Sequence, residues 1–378
     1  MSDVMGRQEP NPVSKLPKFH TTDGDDAAFL SSGYGLDPDP WQKLFLDHAL
    51  GRDARGRMTC TQACLSVPRQ NGKNAIIEMV ELFQMVVLGR SIVHTAHEVR
   101  TARAAFQRIA GFFENPDYPE LSGMVDFIRR ANGQEEVALT NGGGVRFSAR
   151  TQGAVRGLTF DTLVMDEAQD LNDETLAALL PTISSAPSGE PQQIIVGTPP
   201  TTKSDSEVWR RLRDNAMEGK NRRSMWCEWS APESDGPIEL DDPDVWAYAN
   251  PSLGIRLRAE VIEDELSAME PGVFMRERLG MWSFAGERSV VPIEDWQMCE
   301  DRETRVLPQD IERVVLAADI TPSRDAGALV AAIQTTDGKP PIVDVIDQRA
   351  GSVAWIPAKI ADVVEKFGAD AVDRKSVV

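Results

Sequence analysis

Residues 59–74 read TCTQACLSVPRQNGKN, and residues 75–88 continue AIIEMVELFQMVVL. The first part is a run of β character ended by proline, and the second repeats apolar residues at helical spacing, so the stretch predicts strand, polar loop, helix. A loop in that place gathers successive backbone N–H groups and a helix N-terminus at one point, which suits phosphate oxygens, and a lysine after the glycine reaches the outer phosphates. Gly72-Lys73 fits that pattern. Val67 stands where a first glycine is expected, and Asn74 where a serine or threonine normally ligates magnesium. Pro68, Arg69, Gln70, Asn71, Gly72, Lys73 and Asn74 are the expected nucleotide contacts.

Outward from the loop the alternation continues, with strands expected at 91–96, 162–165 and 193–197, helices at 101–113 and 173–180, and a hairpin around Asn141-Gly142-Gly143. Strands alternating with helices imply a mostly parallel α/β sheet with right-handed crossovers. The strand at 162–165 reads TLVM and delivers Asp166 and Glu167 at its C-terminal end. Ligands of open α/β sheets bind at that edge. Asp166 is placed to hold Mg2+, and Glu167 to orient and deprotonate an attacking water, because phosphoryl transfer needs positioning and charge neutralisation. A helix-capping pair is the competing reading. Arg69 and Arg156 are the candidates for neutralising charge on the outer phosphate. Trp41 and Gln42 open an amphipathic helix and are assigned to the adenine, against the alternative of a buried tryptophan. Thr198, after the strand at 193–197, is assigned to sensing the γ phosphate, or is a plain strand-end turn.

Composition sets the limits. The chain has 378 residues, a formal net charge of −19, 41% hydrophobic and 26% charged residues, and four cysteines. This is the profile of a folded protein of two or three domains. No apolar run approaches the roughly 20 residues of a membrane helix. The polar N-terminus lacks the marks of a signal peptide, so a cytoplasmic protein is expected. Four scattered cysteines give little support to a zinc site or disulfide framework. The acidic balance argues against a protein that coats nucleic acid. DNA contact would need a local patch, for which Arg210, Arg211, Arg213, Lys220, Arg222 and Arg223, interleaved with Trp209 and Trp226, are the candidates; a solvated helix face paired with acids is the alternative.

Four segments are expected: an extended arm at 1–40, rich in Pro, Gly and Asp; an α/β domain at 41–230; a linker and helical subdomain at 231–310; and a second α/β pattern at 311–378. The last begins with three strands, a helix and a fourth strand, the order of the first half of a ribonuclease H-like nuclease. In that order the first and fourth strands are neighbours, so Asp319 and Asp373 are expected to share magnesium or manganese in a two-metal site. Asp325, Asp344 and Asp347 remain alternatives. The chain ends before a strand that would supply a third acid, which predicts a C-terminally truncated nuclease domain with impaired activity.

Taken together, WQ at 41–42, PRQNGKN at 68–74, TAHEVRTA at 95–102, SARTQGAVRG at 148–157, VMDEAQ at 164–169, VGTP at 196–199 and VWAYANPSLG at 245–254 resemble the large terminase subunit of tailed bacteriophages. The resemblance implies a P-loop ATPase domain of the RecA-like, additional-strand type, followed by the partial nuclease. It also implies an ATP-driven motor that moves double-stranded DNA into a procapsid and cuts concatemers. In this reading Lys73 contacts phosphate, Arg69 is the loop arginine, Asp166 serves magnesium, Glu167 is the catalytic carboxylate and Asp319 is the first nuclease acid. A portal protein, a small terminase subunit and a homo-oligomeric ring are the implied partners, with no membrane. The alternatives are a superfamily 2 helicase-like ATPase and an inactive prophage remnant that binds nucleotide or partners only.

Overall fold

The structure, a computed structural model, describes residues 4–131, 133–150, 157–201, 207–232, 238–282, 298–299, 306–320, 326–368 and 371–374. The chain divides into two compact units, Met1–Ser289 and Val290–Val378.

In the first unit the elements run β1 (Thr21–Thr22), α1 (Gly24–Gly33), α2 (Pro40–Ala49), β2 (Gly51–Arg52), β3 (Gln62–Ser66), α3 (Lys73–Val86), β4 (Ser91–Ala96), α4 (Val99–Glu114) and α5 (Pro119–Gly123). They continue with β5 (Val125–Arg129), β6 (Glu136–Leu139), β7 (Gly144–Ala149), β8 (Thr162–Met165), α6 (Asp173–Leu179), β9 (Gln192–Gly197), α7 (Glu207–Met217), β10 (Ser224–Glu228), α8 (Pro243–Ala249), α9 (Ala259–Ala268) and α10 (Pro271–Glu277). An eight-stranded sheet has the order β10-β3-β9-β8-β4-β7-β6-β5. Strands β10 to β7 are parallel, and the hairpin expected around Asn141-Gly142 joins β6 antiparallel to β7. The central strands are covered on both faces, which is why TLVM in β8 is buried at every position and reads as an unbroken apolar run.

Helix α3 is buried through its middle turns although it carries Glu78, Glu81 and Gln84. Each polar side chain has a partner on a neighbouring element, as burial requires. Glu78 pairs with Arg108 on α4. Gln84 donates to Gln192 on β9 and accepts from Thr162 on β8, both at 2.6 Å. Glu81 meets His94 Nδ1 on β4 at 2.6 Å, with both side chains almost wholly buried.

The N-terminal segment departs from the extended arm expected for 1–40. It contains helix α1, and β1 pairs antiparallel with β2. Ahead of them the backbone is strapped to the body, with Arg7 N–H donating to Ala247, Asn11 N–H to Glu228 and Lys15 N–H to Trp226 carbonyls. Those bonds are long-range, so no local periodicity announces them. Within 231–310, expected as a linker and helical subdomain, α8, α9 and α10 enclose their own core around Trp246, Ile262, Phe274 and Leu279.

In the second unit β11 (Ile311–Ile320), β12 (Ala326–Thr335), β13 (Ile342–Ala350) and β14 (Ala371–Arg374) form a sheet of order β13-β12-β11-β14. The first three are antiparallel, and β14 runs parallel to β11. The helix Ile356–Phe367 lays Ile356 and Val363 against Leu316, Leu329 and Ala331. First and fourth strands are therefore neighbours, as the strand order anticipates.

The His94–Glu81 pair makes stability depend on pH. Burial pulls the imidazole pKa down, but the charge and hydrogen bond of Glu81 outweigh it, and the net shift is upward. A raised folded-state value means the stabilisation is fully present below the unfolded value of about 6.5 and is lost as pH rises through the folded one. Denaturant midpoints measured from pH 6 to pH 9 are expected to fall with rising pH in the native sequence, and to fall less in a Glu81→Gln, His94→Gln double variant. Equal slopes in both would show that the pair carries none of this dependence.

Candidate functional site

The loop between β3 and α3 holds two residues in the left-handed region, Gln70 with φ 61° and Gly72 with φ 88°. Glycine enters that region freely; glutamine does so only under constraint. The constraint comes from behind the loop, where its carbonyls are pinned by side chains. The Pro68 carbonyl accepts from Asn71 Nδ2 at 3.2 Å, and that of Arg69 from Arg278 at 2.9 Å. The Asn71 carbonyl accepts from Ser252 Oγ at 2.8 Å, and that of Gly72 from Gln42 Nε2 at 3.0 Å. With the carbonyls turned back, the N–H groups face the other way. Among the described residues, those of Gln70, Asn71, Gly72, Lys73 and Asn74 find no acceptor in the protein. A run of unpaired N–H groups at a helix N-terminus is an anion cradle.

Beside the cradle, Asp166 follows the last residue of β8 and is buried, and Lys73 Nζ lies 3.7 Å from Asp166 Oδ1. Asp166 also accepts the Glu167 N–H at 2.8 Å. Glu167 has φ 55°, a strained conformation for a glutamate. Its carboxylate is held by the His97 N–H at 3.1 Å and Thr101 Oγ1 at 3.3 Å. Arg150, at the end of β7, secures the strained turn by donating to the carbonyls of Asp166 and Glu167. Burial pulls the Arg150 guanidinium down to about 10 against the opposing influence of Glu167 and Asp166. It remains a cation at neutral pH. Gln169 Oε1 accepts the Thr198 N–H at 3.2 Å, and the Thr198 carbonyl accepts the Trp209 indole N–H at 3.1 Å, which links this edge to α7.

The structure thus brings together Gln70, Asn71, Gly72, Lys73, Asn74, Asp166 and Glu167, and sets Thr198 against the Asp166 turn through Gln169. Trp41 is elsewhere. It is completely buried, edge-on to Trp229, and donates to Ser252 Oγ, so it is a core residue with no face left for adenine. Gln42 is buried as well and braces Gly72. The Arg69 guanidinium pairs with Glu277. Arg156 lies outside the described residues. Arg150, Thr101, Asn250, Ser252 and Arg278 were not singled out by residue type, although all but Arg278 sit within the quoted motifs.

The expected basic patch is largely consumed by pairing. Arg211 pairs with Asp173, Arg213 with the buried Glu228, and Lys220 with Glu218. Trp209 and Trp226 are core residues. In the second unit Asp319 is exposed, and β14 places Asp373 beside Ala317 in register, two positions before Asp319. Among the described residues no three acids, histidines or cysteines cluster as a metal site.

No protein-family model matches the chain, and no curated protein matches it. Solved structures do. The large terminase of bacteriophage HK97 is similar with a TM-score of 0.63 at 19% identity, over 93% of this chain and 80% of that one. The large terminase of a thermophilic bacteriophage has a TM-score of 0.45 at 10% identity, over 88% of this chain and 76% of that one. The ATPase domain of the Thermus phage P74-26 large terminase has a TM-score of 0.40 at 16% identity, over 60% and 91%. The fold of this chain is that of a phage large terminase.

Asn250 ties the loop to the helical segment, accepting from Asn71 Nδ2 at 2.9 Å and donating to the carbonyls of Trp246 and Arg278. Replacing it with alanine strands buried polar groups, at about 1–3 kcal/mol. Asn250→Ala is expected to lower the melting temperature and to weaken binding of a fluorescent ATP analogue, both measurable on the purified chain. Unchanged nucleotide affinity would show that the loop holds its shape without this brace.

Proposed function

We propose that the chain is an ATP-hydrolysing motor subunit that translocates double-stranded viral DNA into a procapsid. The observation that carries this reading is the set of unpaired N–H groups from Gln70 to Asn74, facing the same strand-end edge as Lys73, Asp166 and Glu167. Phosphate oxygens suit the cradle, and Lys73 neutralises the outer phosphates. Glu167, anchored by His97 and Thr101, takes the proton of a water that attacks the γ phosphorus, and the bond to the bridging oxygen breaks to leave ADP and phosphate. Asp166 fits a magnesium ion, because a hard cation on a nucleotide needs one or two carboxylates with phosphate and water oxygens completing its shell. Magnesium supplies charge neutralisation at the phosphates. The departure at Asn74 leaves Asp166 as the protein's ligand.

The Gln169–Thr198–Trp209 chain is the route we assign to γ-phosphate sensing, since it joins the Asp166 turn to α7 through two hydrogen bonds. A nuclease role for the second unit is supported by the parallel pairing of β11 and β14, which sets Asp373 beside Ala317, two positions before Asp319 on the neighbouring strand. Work in the host cytoplasm with a portal protein, a small terminase subunit and further copies in a ring belongs to the same reading. Among the described residues no helix is long and apolar enough to cross a membrane.

ATP hydrolysis with and without duplex DNA tests the motor. DNA is expected to raise the rate, Glu167→Ala to lower it by about 10²–10⁴ as for loss of a general base, and Lys73→Ala to abolish nucleotide binding as well. An inactive parent chain that still binds nucleotide would favour the remnant, and unwinding of a forked duplex the helicase. For the second unit, magnesium- or manganese-dependent cleavage of duplex DNA is expected to disappear in Asp319→Ala; cleavage that survives removes Asp319 from the site.

A further inference from the structure

A cleft of about 380 Å³ lies at the opposite edge of the main sheet from the phosphate loop. The loop follows the C-terminal end of β3, whereas this cleft is built from residues that precede β3 and β10. Four cationic side chains line it, Lys18, Arg57, Arg222 and Arg223, against one acid, Asp53. In a chain of net charge −19 such a concentration is contrary to the average, and it is held in place by specific bonds. Arg57 forks onto Asp53 at 2.7 and 3.0 Å. Arg223 donates to the Met58 carbonyl at 3.1 Å, and its own carbonyl accepts the Thr61 N–H at 2.9 Å at the start of β3. Lys18 and Arg222 are exposed and have no acidic partner among the described residues. Elsewhere in the described residues of this unit most arginines are matched to a carboxylate, so unmatched cations facing a concave surface call for an external anion.

We propose that this cleft is a phosphate-binding site that grips the backbone of duplex DNA. Guanidinium groups match phosphate geometry in pairs of parallel hydrogen bonds, and the ammonium of Lys18 adds a mobile point charge. Backbone contacts of this kind are independent of sequence, as a moving substrate requires. An acidic protein partner is less well suited, because protein interfaces centre on aromatic and apolar anchors, and this cleft has no aromatic residue and only Pro17 and the largely buried Met58 as apolar ones. The inference rests on the reading that the chain handles DNA, and it locates the contact away from the hydrolytic edge.

Fluorescence anisotropy of a labelled short duplex, titrated with the full chain across a range of salt concentrations, tests it. Lys18→Ala combined with Arg222→Ala is expected to weaken binding roughly tenfold and to lower the slope of log affinity against log salt by about 1.8, two phosphate contacts at 0.9 each. DNA-free ATP hydrolysis by the double variant is expected to match the parent, which shows that it is folded. Equal affinity and slope in variant and parent overturn the proposal. So does tripolyphosphate binding that the variant loses while duplex binding stays, which would make the cleft a small-anion site. Displacement of the duplex by polyglutamate at equal charge overturns it in favour of an acidic protein. Cleft-dependent duplex binding in a chain whose ATP hydrolysis survives Lys73→Ala would sink the motor reading and leave the site standing.

Discussion

The pinning of four loop carbonyls from behind governs the strand-end edge. A row of N–H groups pointing one way is an arrangement of like partial charges, and a chain left to itself relaxes it by rotating peptide planes. Here the carbonyls of Pro68, Arg69, Asn71 and Gly72 are each occupied by a side-chain donor, so rotation of any plane breaks a bond. Three of the four donors come from distant sequence, Gln42 on α2, Ser252 after α8 and Arg278 after α10. Arg278 is in turn buried and paired with Glu265 on α9. The helical segment 238–282 therefore serves the loop as a backing plate.

The same logic of support from behind recurs at the second carboxylate. Glu167 sits in the left-handed region at about 1–3 kcal/mol of strain, which persists only where surroundings over-determine it. Arg150 supplies the determination by holding the two carbonyls that flank the Glu167 Cα, while His97 and Thr101 fix the carboxylate. Parallel strand order then does the rest. With β3, β9 and β8 adjacent and parallel, their C-terminal ends emerge together, so a lysine after one and an aspartate after another meet without any direct sequence relation.

What the sequence made legible is local or edge-determined. The strand–loop–helix at 62–86, the buried strand TLVM and the hairpin at Asn141-Gly142 follow from periodicity and turn chemistry, and the strand-end rule places Asp166 and Glu167. What it left hidden is settled by partners across the fold. Trp41 reads equally as a ring for adenine or as core, and Trp229 with Ser252 decides for core. Arg211 and Arg213 look like a DNA patch until Asp173 and Glu228 arrive from other elements. The N-terminal segment has the composition of coil, yet backbone bonds to β10 and to the α8 region order it. Lys18 and Arg57 belong to one cleft with Arg222 and Arg223 only because the ends of β3 and β10 are neighbours.

Helix α3 joins these observations into a mechanical constraint. Its N-terminus forms part of the N–H cradle, and its body is bonded in low-dielectric surroundings to α4, β4, β8 and β9 through Glu78, Glu81 and Gln84. Moving α3 relative to the sheet would leave these groups buried and unpaired, which is far more costly than breaking surface contacts. The helix and the sheet thus behave as one rigid body. The bonds from Ser252, Asn250 and Arg278 are different, because they join a segment with its own small core to a loop rather than to a packed layer. Arg69 adds a further bond of this kind, from the loop to Glu277 at the end of α10.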